Sequence, residues 1–440
     1  MDRLRRPTRR ELLQLCGKGI AVAPFASLLA CGGKTASVAP NPGVTPYQGT
    51  DDQLLDVIQR ASFQFFWNET NPSTGQIKDR AYLNGSDTRT MSSIAATGFG
   101  LTALCIGDSR GYGKTSDITN RVRNTLQFLF NQMPTVHGFY YHFVDMNTGQ
   151  RWTTCELSSI DTSLLLCGVL TARQYFPDAE IQDLATKIYD RVEWPWMLNG
   201  GPTFSMGWMP ESGFLAARWE HYCELMMIYL LGIGSPTNPV TPDTWNAWTR
   251  PMITYQGLTY ISGNDPLFTH QYSQAWFDFR NKKDAYANYF QNSITATKAH
   301  KLFCLSLKAQ FSDYSEDLWG ITASDFVHGY TAWGGPPPQG PIDGSVVPCA
   351  TGGSLPFLFS DCIRVLRTIR GVYGSKAWGA YSFVDAFNPL TGWYDTDVLG
   401  IDLGITIVMA ENYRTGLVWS TFMKNPEAQT AMQKVGFVPG

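Results

Sequence analysis

From residue 52 to about residue 435, apolar side chains recur with the 3.6-residue period of helices. The stretch Asp52 to Glu69 sets Leu54, Leu55, Val57, Ile58, Ala61, Phe65 and Phe66 along one stripe, the pattern of an amphipathic helix. Comparable segments fall near 91–107, 115–133, 158–175, 178–191, 214–232, 241–249, 284–309, 350–373, 402–419 and 426–435, with a weaker one around 271–281. Gly/Pro/Trp-rich loops join them at 196–214, 329–348 and 387–400. Strand signals are short, as in Gly138 to Phe143 leading to a turn at Asn147-Thr148-Gly149. A dozen helices with long loops fit either an α-solenoid or a ring of helical hairpins. A solenoid carries a repeating sequence period, and none is present. The predicted fold is therefore all-α, an (α/α)6 toroid with short β segments in its loops, those at one end building a cleft.

The N-terminus reads as an address rather than as fold. A basic segment (Arg3, Arg5, Arg6, Arg9, Arg10) precedes an apolar stretch from Ile20 to Leu29. The Arg9-Arg10 pair is the signature of twin-arginine export. Leu28-Leu29-Ala30-Cys31 reads as a lipobox whose Cys31 is acylated; the plainer reading is a secretory peptide in which Cys31 is incidental. Residues 32–50, rich in Gly, Pro, Ser and Thr, read as a flexible tether. The expected product is a single domain over 51–440, a monomer held at the periplasmic or outer-membrane face through Cys31.

Without residues 1–30 the chain has 28 basic against 35 acidic side chains, a net charge of −7. That argues against nucleic acid or an anionic membrane surface as partner. Charged residues make up only 16 % and aromatics 13 %, with 14 Trp, which suits a large core plus platforms for a neutral ligand. The cysteines beyond Cys31 form no CxxC, and most lie in apolar helical runs, so buried thiols are expected rather than disulfides.

Gly113-Lys114-Thr115 resembles the end of a phosphate loop, but the upstream glycines are wrongly spaced and a helix precedes it. The histidines are scattered, with no HExxH, so no metal or other cofactor is called. Carboxylates remain. Glu224 lies nearly midway along the run Trp219 to Leu230, read as an otherwise apolar helix, where desolvation is expected to keep it protonated as a general acid requires. Its plainer reading is a polar helix face shared with Glu220. Glu156 precedes Leu157-Ser158-Ser159-Ile160-Asp161-Thr162. There Ser158 and Asp161 have capping-box spacing, which leaves Asp161 divided between capping and catalysis. Asp145, between Phe143 and Gly149, is divided between turn chemistry and catalysis.

Several stretches together resemble the glycoamylase-like family that includes the bacterial endo-β-1,2-glucanases. They are Phe65-Phe66-Trp67, Asp79-Arg80, Gly138 to Phe143, Glu156 to Thr162, Glu224 to Pro236, Asp278-Phe279-Arg280, Trp319 to Asp325 and Glu411 to Leu417. The resemblance covers about 52 to 435. It implies an (α/α)6 fold and glycan cleavage by acidic residues, with inversion at the anomeric carbon in the characterised glucanases. By position Glu156 and Glu224 match the acidic residues implicated there, with Asp145 a third. The run Pro336-Pro337-Pro338 and Cys349 depart from the pattern.

Trp208, Trp319 and Trp393 lie in Gly-rich, acid-containing loops and are candidate sugar platforms, against the common role of Trp in packing. Asp325, Arg280 and Glu411 are candidate substrate contacts, Arg280 alternatively pairing with a core carboxylate. The expected function is hydrolysis of a β-glucan, a β-1,2-linked one being the candidate the resemblance implies, or its oligosaccharides, with Glu224 as acid and Glu156 positioning or deprotonating water. The rivals are a toroidal polysaccharide lyase and a glycan-binding lipoprotein without activity.

Overall fold

The computed structural model describes residues 45–440 except 265 and 337; the expected signal, Cys31 and most of the tether lie outside the described residues. The long helices are α1 (Asp51–Asn68), α2 (Ile94–Ser109), α3 (Thr115–Asn131), α4 (Ser159–Tyr175), α5 (Ala179–Asp190) and α6 (Met226–Gly234). They continue with α7 (Tyr289–Ser306), the short α8 (Pro348–Gly352), α9 (Phe359–Val372), α10 (Gly400–Arg414) and α11 (Pro426–Lys434).

Two kinds of helix alternate. In α5 only Ile181, Leu184, Ala185, Ile188 and Tyr189 are buried, the one-sided stripe of a helix with a wet back. In α2 every residue from Ile94 to Gly107 is buried, and in α4 every residue from Ser159 to Arg173. Such all-round burial belongs to the inner wall of a double ring. The inner elements are α2, α4, α6, two 3-10 turns (Leu267–His270 and Ser273–Ala275), α8 and α10, and α10 packs back against α2 to close the circle. Helices α1, α3, α5, α7, α9 and α11 pack outside them, so the (α/α)6 toroid expected from the apolar pattern is the fold present.

The inner helices approach closely where they lack side chains. A Cβ built on Gly168 of α4 would stand 2.0 Å from the Gly98 carbonyl oxygen of α2. Glycine is required at this crossing to let two backbones meet.

Four expected helices are cut back. Residues 214–225 are irregular after a strand at Gly213–Phe214, so the sixth helix starts only at Met226. The segment expected at 241–249 keeps one turn, Asp243–Asn246. The segment at 350–373 breaks between Gly352 and Phe359, where Gly352-Gly353 presses on Thr406 and Gln271. The segment at 402–419 breaks at Gly416, whose φ is +71°. All seven cysteines among the described residues are buried thiols. Among the described residues no helix is long and apolar enough to cross a membrane.

Candidate active site

A short strand leads into three inner helices: Met91–Ser93 into α2, Leu157–Ser158 into α4, and Asp397–Leu399 into α10. Ser93 and Ser158 cap α2 and α4 by accepting from Ala96 N and Asp161 N. These strands are stitched into one rim. Ser93 pairs with Phe143, Tyr141 bridges Leu157, Leu157 pairs with Trp208, and Arg80 pairs with Leu399. The Trp219 indole N–H donates to Ser159 Oγ at 2.8 Å, tying the approach to α6 onto the same rim. The N-terminal ends of these helices therefore share a face, with their dipoles favouring negative charge there.

Acidic side chains fill this face in two arcs. In the first, His142 lies between two carboxylates, with Nδ1 3.1 Å from Glu156 Oε1 and Nε2 3.5 Å from Asp161 Oδ1. Asp161 also pairs with Ser158 Oγ, so it serves the cap and the site together. Glu224, 1 % exposed, stands just ahead of α6. It is not midway along a helix, as its apolar neighbours suggested; the backbone turns before Met226, and Ser273 Oγ holds the Glu224 carbonyl at 2.7 Å.

The second arc is built on two arginines. Arg80 contacts Asp79 at 3.0 Å, Asp325 at 2.6 Å and Asp397 at 4.0 Å. Arg89 forks Asp397 with contacts of 2.8 and 2.9 Å and also grips Asp87. Burial disfavours the charge on both, yet the facing carboxylates hold their pKa values above the ordinary arginine value. Behind them sits a surplus of acid: one oxygen each of Asp325, Asp385 and Asp395 lies within 4.8 Å of the others. Asp385 accepts from the Asp325 backbone N–H at 2.6 Å. Burial first, and then Asp402 and Asp325, push the Asp385 carboxyl well above the usual carboxylate range. Burial and the Asp325 charge push partly exposed Asp395 up to about 7. The site thus combines carboxylates paired with arginine and carboxyls whose proton affinity burial raises, and differing carboxyl environments are what acid–base hydrolysis uses.

Asp385, Asp395, Asp397, Asp402 and Arg89 were not anticipated. A signal for two of them existed: Glu156 to Asp161 and Asp397 to Asp402 share one spacing, a carboxylate, a strand, and an Asp in the first turn of an inner helix.

Other expected residues separate. Asp325 is at the site, paired with Arg80. Trp208 and Trp393 are half-buried in rim strands, Trp208 backed by Trp196 with ring centroids 5.8 Å apart. Asp145 accepts from Thr90 Oγ1 and from the Asn147 and Thr148 N–H groups; although burial opposes it, these bonds hold its pKa below the usual carboxylate range. Three assignments need correction. Trp319 is fully buried in an apolar core with Leu318, Ile321 and Trp333 and has no face to offer a sugar. Glu411 lies near the C-terminal end of α10, forked by Arg110 at 2.8 and 2.9 Å. Nine residues of helix from Asp402 put it roughly 13 Å below the acidic face. Arg280 is forked by Asp278 at 2.9 Å and lies 4.1 Å over the ring of Trp419, beyond that same lower end.

The Glycoamylase family model matches residues 216–426. The chain is 30 % identical over 434 residues to the exo-β-1,2-glucooligosaccharide sophorohydrolase (non-reducing end) of Parabacteroides distasonis, covering 89 % of this chain. It spans 59 % of the length of that relative. Among solved structures it is similar to the endo-β-1,2-glucanase of Chitinophaga pinensis in complex with sophorotriose and glucose, with a TM-score of 0.83 and 27 % identity. That match covers 89 % of this chain and 99 % of the glucanase. The β-1,2-glucanase of Parabacteroides distasonis gives a TM-score of 0.83 at 29 % identity, over 89 % of this chain and 60 % of that one.

Proposed function

We propose that the chain is a glycoamylase-like enzyme, as the family model over residues 216–426 and the similar β-1,2-glucanase structures support, and that it hydrolyses a β-1,2-linked glucan or its oligosaccharides. The observation that carries this is the placement of Glu224 and Glu156 ahead of neighbouring inner helices, on the acidic face of a ring that superposes on β-1,2-glucanases over most of its length. Glu224 protonates the leaving glycosidic oxygen. Glu156, oriented by His142, takes a proton from the attacking water. Water enters opposite the departing oxygen, so a β-linkage yields an α-anomer at the new reducing end. Arg80 and Arg89 hold the Asp325 and Asp397 side chains in place by ion pairs at the edge of the site.

The purified body, incubated with linear β-1,2-, β-1,3-, β-1,4- and β-1,6-glucans, should release oligosaccharides from the β-1,2 polymer, with the α-anomer first by NMR. The Glu224→Gln and Glu156→Gln variants should each lose about a thousandfold or more in kcat while still binding glycan. Full activity in both variants would overturn these roles. A new ultraviolet-absorbing double bond in the products would point to a lyase.

The proposal extends to place. Arg9-Arg10 and Leu28-Leu29-Ala30-Cys31 support export and acylation of Cys31, which would hold a monomeric enzyme at the periplasmic or outer-membrane surface. Radiolabelled palmitate should enter the wild type and not Cys31→Ala.

A further inference from the structure

Tyr82 ends the strand Arg80–Tyr82, which pairs antiparallel with Asp397–Leu399, and lies directly opposite Asp397. Directly opposed residues, and residues two apart, project to the same side of a ladder. Tyr82 therefore shares a side with Asp397 and Arg80, both part of the acidic site. Its exposure is 43 %, high for an aromatic on a strand beside a buried ion-pair network. Packing does not account for that exposure, and its hydroxyl makes no hydrogen bond among the described residues.

The ring is nevertheless held. The Arg89 guanidinium lies 4.5 Å from its centroid, and Arg89 is itself fixed by the double contact to Asp397 and by Asp87. The Tyr82 backbone N–H donates to Asp87 Oδ2 at 3.2 Å, anchoring strand and arginine to one carboxylate. One ring face is covered by a cation in a rigid fork, and the solvent-exposed remainder stays at the rim. An aromatic held this way loses little freedom when it takes up a ligand.

We propose that Tyr82 is a sugar-binding platform of the cleft, its open face stacking on the apolar face of a glucosyl unit that lies outside the bond being cleaved. The proposal rests on the functional reading above and deepens it. Tyr82 touches substrate but not the reacting atoms, so its removal should weaken the binding of longer chains and leave the chemical step alone.

The test is steady-state kinetics on linear β-1,2-glucooligosaccharides of increasing length, for wild type, Tyr82→Ala and Tyr82→Phe. Tyr82→Ala should raise KM about two- to tenfold on the longer chains, the range of a single stacking contact, with kcat little changed. Tyr82→Phe should retain the wild-type KM. An unchanged KM in a folded, active Tyr82→Ala enzyme overturns the proposal, as does a fall in kcat alone. Should the wild type cleave none of the glucans, the functional reading fails, and calorimetric titration of the same oligosaccharides decides this inference separately. Weaker binding by Tyr82→Ala would support it; equal binding, or none by the wild type, would overturn it.

Discussion

Asp385 hydrogen-bonds Asp402, and burial followed by this carboxyl neighbour pushes the Asp385 carboxyl well above the usual carboxylate range. The pair lies beneath the acidic face, 3 % and 7 % exposed, with Asp325, Asp395 and Arg80 as the charged groups nearest above it. A buried surplus of acid of this kind makes stability depend on pH with a definite sign.

In the unfolded chain Asp395 ionises near the ordinary aspartate value, whereas folding raises it to about 7. Between those values the native state binds the extra proton. The contribution of Asp395 to stability is constant below about pH 4, falls as pH rises toward 7, and is then level. The cost is about 4 kcal/mol at the upper end. Thermal melts of wild type should fall in midpoint between pH 4.5 and 7.5, on the order of the window just derived, and Asp395→Asn should flatten the curve. Parallel curves would show that Asp395 titrates normally.

Arg80 is the central cation of the second arc. Replacing it in Arg80→Gln leaves Asp79 and Asp325 without their closest positive partner and should cost about 3 kcal/mol in urea unfolding. Arg80→Lys should recover only part of that, because an ammonium lacks the planar fork that reaches several carboxylates.

The crossing of α2 and α4 permits no side chain. Gly168→Ala places its methyl against the Gly98 carbonyl. It should lose about 3 kcal/mol or more by forcing two inner helices apart. A melting temperature equal to that of wild type would mean that the ring relaxes freely there.

Glu411 tests the opposite end of the ring. Glu411→Gln weakens the Arg110 fork and the contacts from Gln59 and Thr415, and should cost about 2 kcal/mol. Being far from the acidic face, it should leave kcat/KM within about twofold of wild type. A selective loss of activity would return Glu411 to the substrate.

What was legible without tertiary structure was whatever depends on near neighbours. The stripe in α5, the extents of α2 and α4, and the Ser158 cap follow from periodicity and spacing within a few residues. Glu156 and Glu224 were legible as acids beside apolar segments, though the turn that sets Glu224 ahead of its helix was not. The sequence alone thus determined the ring of paired helices. Tertiary structure decided the rest. Asp325 comes from the strand Ser324–Phe326 and Asp385 and Asp395 from the two ends of a distant hairpin, and the raised proton affinities of the latter two arise only when burial and neighbouring carboxylates act together. It also separated Asp402 from Glu411, two acids on one helix: the first opens on the site and the second closes the far end. A periodic pattern specifies which side of a helix is buried; which end carries the chemistry depends on the residues that other segments bring to it.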